Sequence, residues 1–162
     1  LRIDHRQPAA RSQEEANAVA DVVEDLVRQH GVSPREIAVI APFRGQVRLL
    51  RSTIQHKQLA GDDELVVDTV ERIQGQEREV VIVSLTAGDA AEAKGRGAFH
   101  LSLNRLNVAL SRARTKAVLV ASAHAFRALP HDADGLRMAS RGKELCHRLH
   151  QVDLSRLYLA CP

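Results

Sequence analysis

Three arginines, Arg105, Arg112 and Arg114, fall in the stretch LNRLNVALSRART at residues 103–115. A guanidinium keeps its charge and donates through a planar fork, so it suits charge that develops on a transferred phosphoryl group. Seven positions separate Arg105 from Arg112. On a helix both therefore project from nearly one face, away from the stripe of Leu103, Leu106 and Leu110. Taken alone, such a helix reads first as a solvated basic face. A second set lies in VDTVERIQGQEREVVIVS, residues 67–84. Gly75 lets a backbone approach a phosphate where a Cβ would interfere, and Glu77 offers an acceptor beside it. A turn glycine next to a surface acid accounts for the pair about as well. Thr69 closes the strand before them, where loops of a parallel sheet gather ligands, although a threonine that merely ends a strand is common. Pro42, Phe43, Arg44 and Gln46 follow the apolar run IAVIA in the same way. Arg44, Arg48 and Arg51 fit a phosphate track with help from exposed backbone amides, while Phe43 reads as a core plug.

The elements that position these residues are legible from apolar patterning. Ser12 is a good N-cap, with Glu15 completing a capping box. Val19, Val22, Val23, Leu26 and Val27 then recur at helical spacing until Gly31. The runs Ile37–Ala41, Leu65–Val67, Val80–Leu85 and Ala117–Ala121 are short, branched and bounded by turns, as fully buried parallel strands are. A helix is expected from Pro42 through Val47, Leu50 and Ile54 to near Gly61. Residues 88–97 read as a Gly-rich surface loop. Helices near Ala123–Leu129 and Leu136–His150, a short strand at Leu154–Leu159 and a short opening strand within residues 1–11 complete the pattern. Strands alternating with helices give a doubly wound α/β domain whose strands are parallel neighbours, with Thr69, Arg44 and Gly75 near one ligand-bearing edge.

The stretches around Glu77 and Arg112 resemble motifs V and VI of superfamily 1 helicases, and IAVIAPFRGQVRLL (37–50) resembles motif IV. They stand in the family's order over residues 37–115, about half of the chain. The wording TVERIQGQE and RLNVALSRAR is most similar to the branch of the nonsense-mediated-decay helicase and its DNA-replication relatives. The resemblance implies a three-layer RecA-like domain of P-loop NTPase type, with a mainly parallel sheet and no Walker A of its own. It implies that Arg112 is an arginine finger for the ATP γ-phosphate, with Arg114 a second candidate and Arg105 in support. It also implies that Glu77 accepts from the ATP ribose beside Gly75. Pro42, Arg44, Gln46 and Thr69 would contact single-stranded DNA or RNA, and Gln74 with Arg105 would couple the two sites.

No GxxxxGK[ST] loop occurs, and no acidic pair convincingly follows an apolar strand. Such elements hold the phosphates and Mg²⁺ in this class. The resemblance therefore implies an upstream RecA-like domain that supplies them, with ATP and Mg²⁺ bound chiefly there, and 5′ to 3′ movement by the whole. The chain opens on Leu1, so it reads as a piece of a longer protein. Residues 1–162 form one domain, with 130–162 a helical extension. The rival reading is a non-catalytic α/β module that binds nucleic acid or protein.

Composition sets wide bounds. With 23 Lys and Arg against 20 Asp and Glu, the net charge of +3 permits a polyanion partner without demanding one. Aromatics are 2% of residues and Trp is absent, so strand binding must rest on phosphate contacts more than stacking. Cys146 and Cys161 make neither a zinc site nor a disulfide framework, and the eight histidines lack ligand spacing. Asp62, Asp63, Glu64, Asp132 and Asp134 are acidic turn clusters without an accompanying motif for a metal. No apolar run nears the roughly 20 residues that cross a bilayer, and an intracellular setting is expected.

Overall fold

The computed structural model describes residues 2–3, 11–59, 65–73, 75–86, 103–122, 140 and 144. The features expected at 88–97, 123–129 and 154–159, the acidic clusters, both cysteines and Gln74 lie outside them, as do the helix expected at 136–150 and the extension from 130 except for residues 140 and 144. Five strands form one sheet: β1 (Arg2–Ile3), β2 (Ile37–Ile40), β3 (Val66–Asp68), β4 (Arg78–Ser84) and β5 (Ala113–Ser122). Their order is β1-β5-β4-β2-β3, and every pairing is parallel. The four apolar runs are thus parallel neighbours in one sheet, as their composition demands. Boundaries differ modestly: β3 and β4 start one and two residues from the expected positions, and β5 begins four residues early.

The strands are apolar throughout because both faces are covered. On one face Ile37, Val39, Val80, Ile82 and Val120 pack beneath α1 (Gln13–Arg28) and α2 (Arg44–His56), meeting Val19, Val23 and Leu50. On the other, Ala38, Ile40, Val81, Val83 and Leu119 meet Leu106 and Ala109 of α3 (Leu103–Leu110) together with Ile73. This is a three-layer α/β domain of RecA-like type.

Helix α1 ends at a left-handed glycine: Gly31 has φ +64°, and just past it the Val32 N–H turns back to donate to Leu26 O at 2.9 Å. Its start corrects one expectation. Ser12 Oγ accepts from the Glu15 N–H at 3.1 Å, but the Glu15 carboxylate does not return the bond. Glu15 is fully buried and accepts instead from Ser84 Oγ (2.6 Å) and the Thr86 N–H (2.9 Å). The capping box is half made because this acid lies on the buried stripe with Val19 and Val23, facing the sheet rather than the helix start.

Nine residues, 69–77, join β3 to β4. Asp68 stands level with Ile40 and Ile40 with Val83, so the chain leaves β3 beside the end of β4 and must return to its start. It does so as a strap over the α3 face, pinned by Ile73, which is 1% exposed. Among the described residues no helix is long and apolar enough to cross a membrane.

Candidate functional site

In a parallel sheet, residues that precede a strand and residues that follow one gather at opposite edges. Gly75, Glu77, Arg112 and Arg114 precede or open β4 and β5, so they share the amino edge. Pro42, Arg44 and Thr69 follow β2 and β3, so they share the carboxyl edge. Gly75 was expected beside Thr69 and Arg44; the strap carries it to the far edge instead. The same strap joins the two edges, since Thr69 begins it and Glu77 ends it.

At the amino edge the Arg78 N–H donates to Arg112 O at 3.0 Å, bringing the turn before β4 against the turn before β5. Gly75 takes φ +86°, which an L side chain rarely adopts. An added Cβ would meet nothing within 4 Å, so conformation requires the glycine and the space beside it is open. Glu77 and Arg114 lie 3.5 Å apart and are half exposed, and Arg114 also approaches Glu79 at 3.8 Å. Thr115 Oγ1 donates to the Glu79 carboxylate. Arg112 was expected at the end of a helix. It lies instead in the turn after Leu110, its Nε donating to Val108 O at 3.3 Å.

That placement also separates Arg112 from Arg105. Helix α3 runs back against the strands, so Arg105, near its start, belongs to the carboxyl edge, 3.4 Å from Glu71 on the strap. The two arginines do not share a working face. Beside Arg105 and Glu71, at the carboxyl edge, lies a mostly apolar hollow of about 410 Å³, counting its open mouth, with Pro42, Val70, Leu85 and Leu106 among its walls.

Arg44 is exposed at the first position of α2, whose N-cap residue Phe43 makes no side-chain capping bond. Phe43 is half-buried rather than a core plug. Thr69 is half-buried, its N–H donating to Asp68 Oδ1 at 2.8 Å. Gln46 departs from the expected nucleic-acid set. It is fully buried, pairing with the Ser12 backbone (2.8 and 3.1 Å) and donating to Ser84 Oγ at 3.2 Å. Arg51 leaves the expected track too: its fork caps Val67 O at 3.0 and 2.7 Å on the outer strand β3. Arg48 remains exposed.

Sequence reasoning missed Glu15 and Arg78. The spacing of Glu15, Val19 and Val23, four residues apart each time, was the available signal for the first. Arg78 braces the amino edge by donating to Glu77 O (3.0 Å) and Gln76 Oε1 (3.1 Å). Among the described residues no group of three or more His, Cys, Asp or Glu is placed to hold a metal ion.

A family described as an AAA domain matches residues 3–124. The putative helicase MOV-10 of Gallus gallus is 30% identical over 141 residues, covering 78% of this chain and 15% of that protein. The DNA-binding protein SMUBP-2 of Rattus norvegicus is 36% identical over 94 residues, covering 58% and 9%. The DNA replication ATP-dependent helicase/nuclease JHS1 of Arabidopsis thaliana is 27% identical over 124 residues, covering 76% and 9%. The matched stretch thus spans a small part, 9–15%, of these relatives' length. A solved C-terminal domain of a possible DNA helicase from Lactobacillus aligns with a TM-score of 0.49 and 17% identity, covering 75% of this chain and 74% of that one.

Proposed function

Because the chain belongs to the AAA-domain family, in its superfamily 1 helicase branch with MOV-10, SMUBP-2 and JHS1, we propose that it is the second motor domain of an ATP-dependent helicase. The amino edge forms one wall of an ATP site. Arg112 is the arginine finger: its guanidinium leaves Val108 O and donates to the phosphoryl oxygens as charge develops on them. Glu77 accepts from the ribose, and Arg114 supports it. The Gly75 turn leaves room for the nucleotide to approach the backbone. An upstream RecA-like domain supplies the phosphate loop and most of the Mg²⁺ coordination, and ATP supplies the phosphoryl group whose transfer drives the cycle.

The carboxyl edge grips single-stranded DNA or RNA. Arg44, Pro42 and Thr69 lie along it, with the first-turn amides of α2 pointing outward as helix N-termini do toward phosphates. Arg105 stands on this edge, and Gln74 falls within the strap that ties it to the ATP wall. Opening and closing of the cleft against the upstream domain alternates the grip, moving the protein 5′ to 3′.

One observation carries this proposal. The Arg78–Arg112 backbone bond sets Gly75, Glu77, Arg112 and Arg114 together on an open edge, apart from the strand-gripping residues. The test is ATPase activity of residues 1–162 alone and joined to an upstream domain bearing a phosphate loop. Turnover only in the joined protein is expected. Robust turnover by 1–162 alone would overturn the assignment.

A further inference from the structure

Four buried residues, fully or nearly excluded from solvent, close a ring of hydrogen bonds beneath the carboxyl edge. Gln46 Nε2 donates to Ser84 Oγ (3.2 Å), and Ser84 Oγ donates to Glu15 Oε2 (2.6 Å). The Glu15 N–H donates to Ser12 Oγ (3.1 Å), and the Ser12 N–H returns to Gln46 Oε1 (2.8 Å). Glu15, Gln46 and Ser84 are 0% exposed and Ser12 is 4%. The ring joins three elements: the start of α1, the first turn of α2 and the end of β4.

Glu15 also grips the chain where it leaves β4. Thr86 has φ +54°, a left-handed conformation that a β-branched residue adopts only when its surroundings impose it. Its side-chain hydroxyl is buried without a hydrogen-bond partner, while its N–H donates to Glu15 Oε2 at 2.9 Å. One carboxylate oxygen therefore holds both the ring and the exit of β4.

Gln46 lies two residues beyond Arg44, in the same first turn of α2. Whatever fixes Gln46 fixes where Arg44 and the leading amides of α2 stand over the sheet edge. We propose that Glu15 is a positioning residue for strand binding: through Ser84 and Gln46 it sets the α2 N-terminus, and so aims Arg44 at the nucleic-acid backbone. This rests on the proposed nucleic-acid role of the carboxyl edge.

The test is a double-mutant cycle in the full-length protein, read as Kd for a single-stranded oligonucleotide at fixed salt, well below the unfolding temperature. Glu15→Gln keeps the shape and replaces one carboxylate oxygen with an amide NH₂. It should weaken strand binding by roughly tenfold, about 1.4 kcal/mol, without moving the KM for ATP. Arg44→Ala should weaken binding in the native background yet add less than about twofold in the Glu15→Gln background, because the aim is already lost. A merely structural role would leave the Arg44→Ala factor unchanged. An equal Arg44→Ala loss in both backgrounds overturns the positioning role while leaving the strand track standing. No loss from Arg44→Ala in the native background overturns the track, and this proposal with it. If Glu15→Gln does not fold, Ser84→Ala breaks the same link by removing one hydroxyl, and the cycle is read there with the same two outcomes.

Discussion

Glu77 faces two partners in the proposed cycle, and its geometry decides how its loss reads out. In the structure it lies 3.5 Å from the Arg114 guanidinium, both side chains about half exposed. A surface pair of this kind contributes about 0–1 kcal/mol, so Glu77→Ala should leave the thermal midpoint almost unmoved. The proposed ribose contact, by contrast, would be the same in ground and transition states. Losing it removes uniform binding, which raises KM and spares kcat. Steady-state ATPase of the full-length Glu77→Ala protein should show KM for ATP up by about tenfold with kcat within about twofold, a loss near 1.4 kcal/mol. A fall in kcat at constant KM would place Glu77 in the chemistry instead. Arg51 shows how the same residue type is spent differently a few positions away: bound to Val67 O, it covers the outer edge of β3, which unpaired backbone would leave open to other strands.

A strap joins the two edges and an ionic clip joins two helices, and each has its own test. Among its described residues the strap of 69–77 has no helix or strand of its own, and it is anchored by the buried Ile73. Ile73→Ala should cost about 2–5 kcal/mol, seen as a lower urea midpoint at unchanged slope. A loss under about 0.5 kcal/mol would show that the strap is held elsewhere. Helices α1 and α2 are clipped at their far ends by Lys57, whose Nζ reaches Asp21 Oδ1 at 2.6 Å and also bonds Glu24. The bond to Asp21 leads in raising the Lys57 pKa above its ordinary 10.5, and the bond to Lys57 leads in lowering that of Glu24 below 4.5. A lowered acid contributes stability present above its unfolded pKa and lost as pH falls through the folded one. A raised lysine contributes stability present below its unfolded pKa and lost as pH rises through the folded one. The clip is therefore whole from about pH 5 to 10, and Lys57→Met should flatten the loss of stability on either side, measured by thermal melts across pH. Unchanged pH limits in Lys57→Met would show that the clip is idle. The strands themselves were legible because both faces are buried and the runs are apolar without interruption. The start of β5 was not, because Arg114, Thr115 and Lys116 are exposed. Among the described residues β1 meets β5 at Ala121 and Ser122 alone, and no strand covers the earlier half of β5, where polar residues are tolerated. Glu15 was hidden by its own type: an acid in a first helical turn reads as a cap, and only its register with Val19 and Val23 marks it as buried. The strap was unreadable for a different reason, since nothing local says which sheet face a connection crosses.

At the scale of the molecule, the proposed function assigns the two edges of the sheet two different chemistries. The amino edge carries Glu77, Arg112 and Arg114; the carboxyl edge carries Arg44, Pro42 and Thr69. The sequence contains no phosphate loop, and in the proposed cycle the amino edge works against an upstream domain that supplies one. That dependence puts the central claim on Arg112, the group that would cross the cleft. The decisive measurement is nucleic-acid-stimulated ATPase of the full-length protein carrying Arg112→Ala, alongside nucleotide affinity and the thermal midpoint. An arginine finger supplies about 10³–10⁵ in rate, so turnover should fall by roughly that factor. ATP affinity should weaken far less, because the phosphate loop still holds the nucleotide. Arg112→Lys should rescue poorly, since a point charge does not reproduce the guanidinium fork. Stability should barely change, because among the described residues the Arg112 side chain makes only an exposed bond to Val108 O, and Ala keeps the backbone bonds. Stimulated turnover near the native rate in Arg112→Ala would contradict the account.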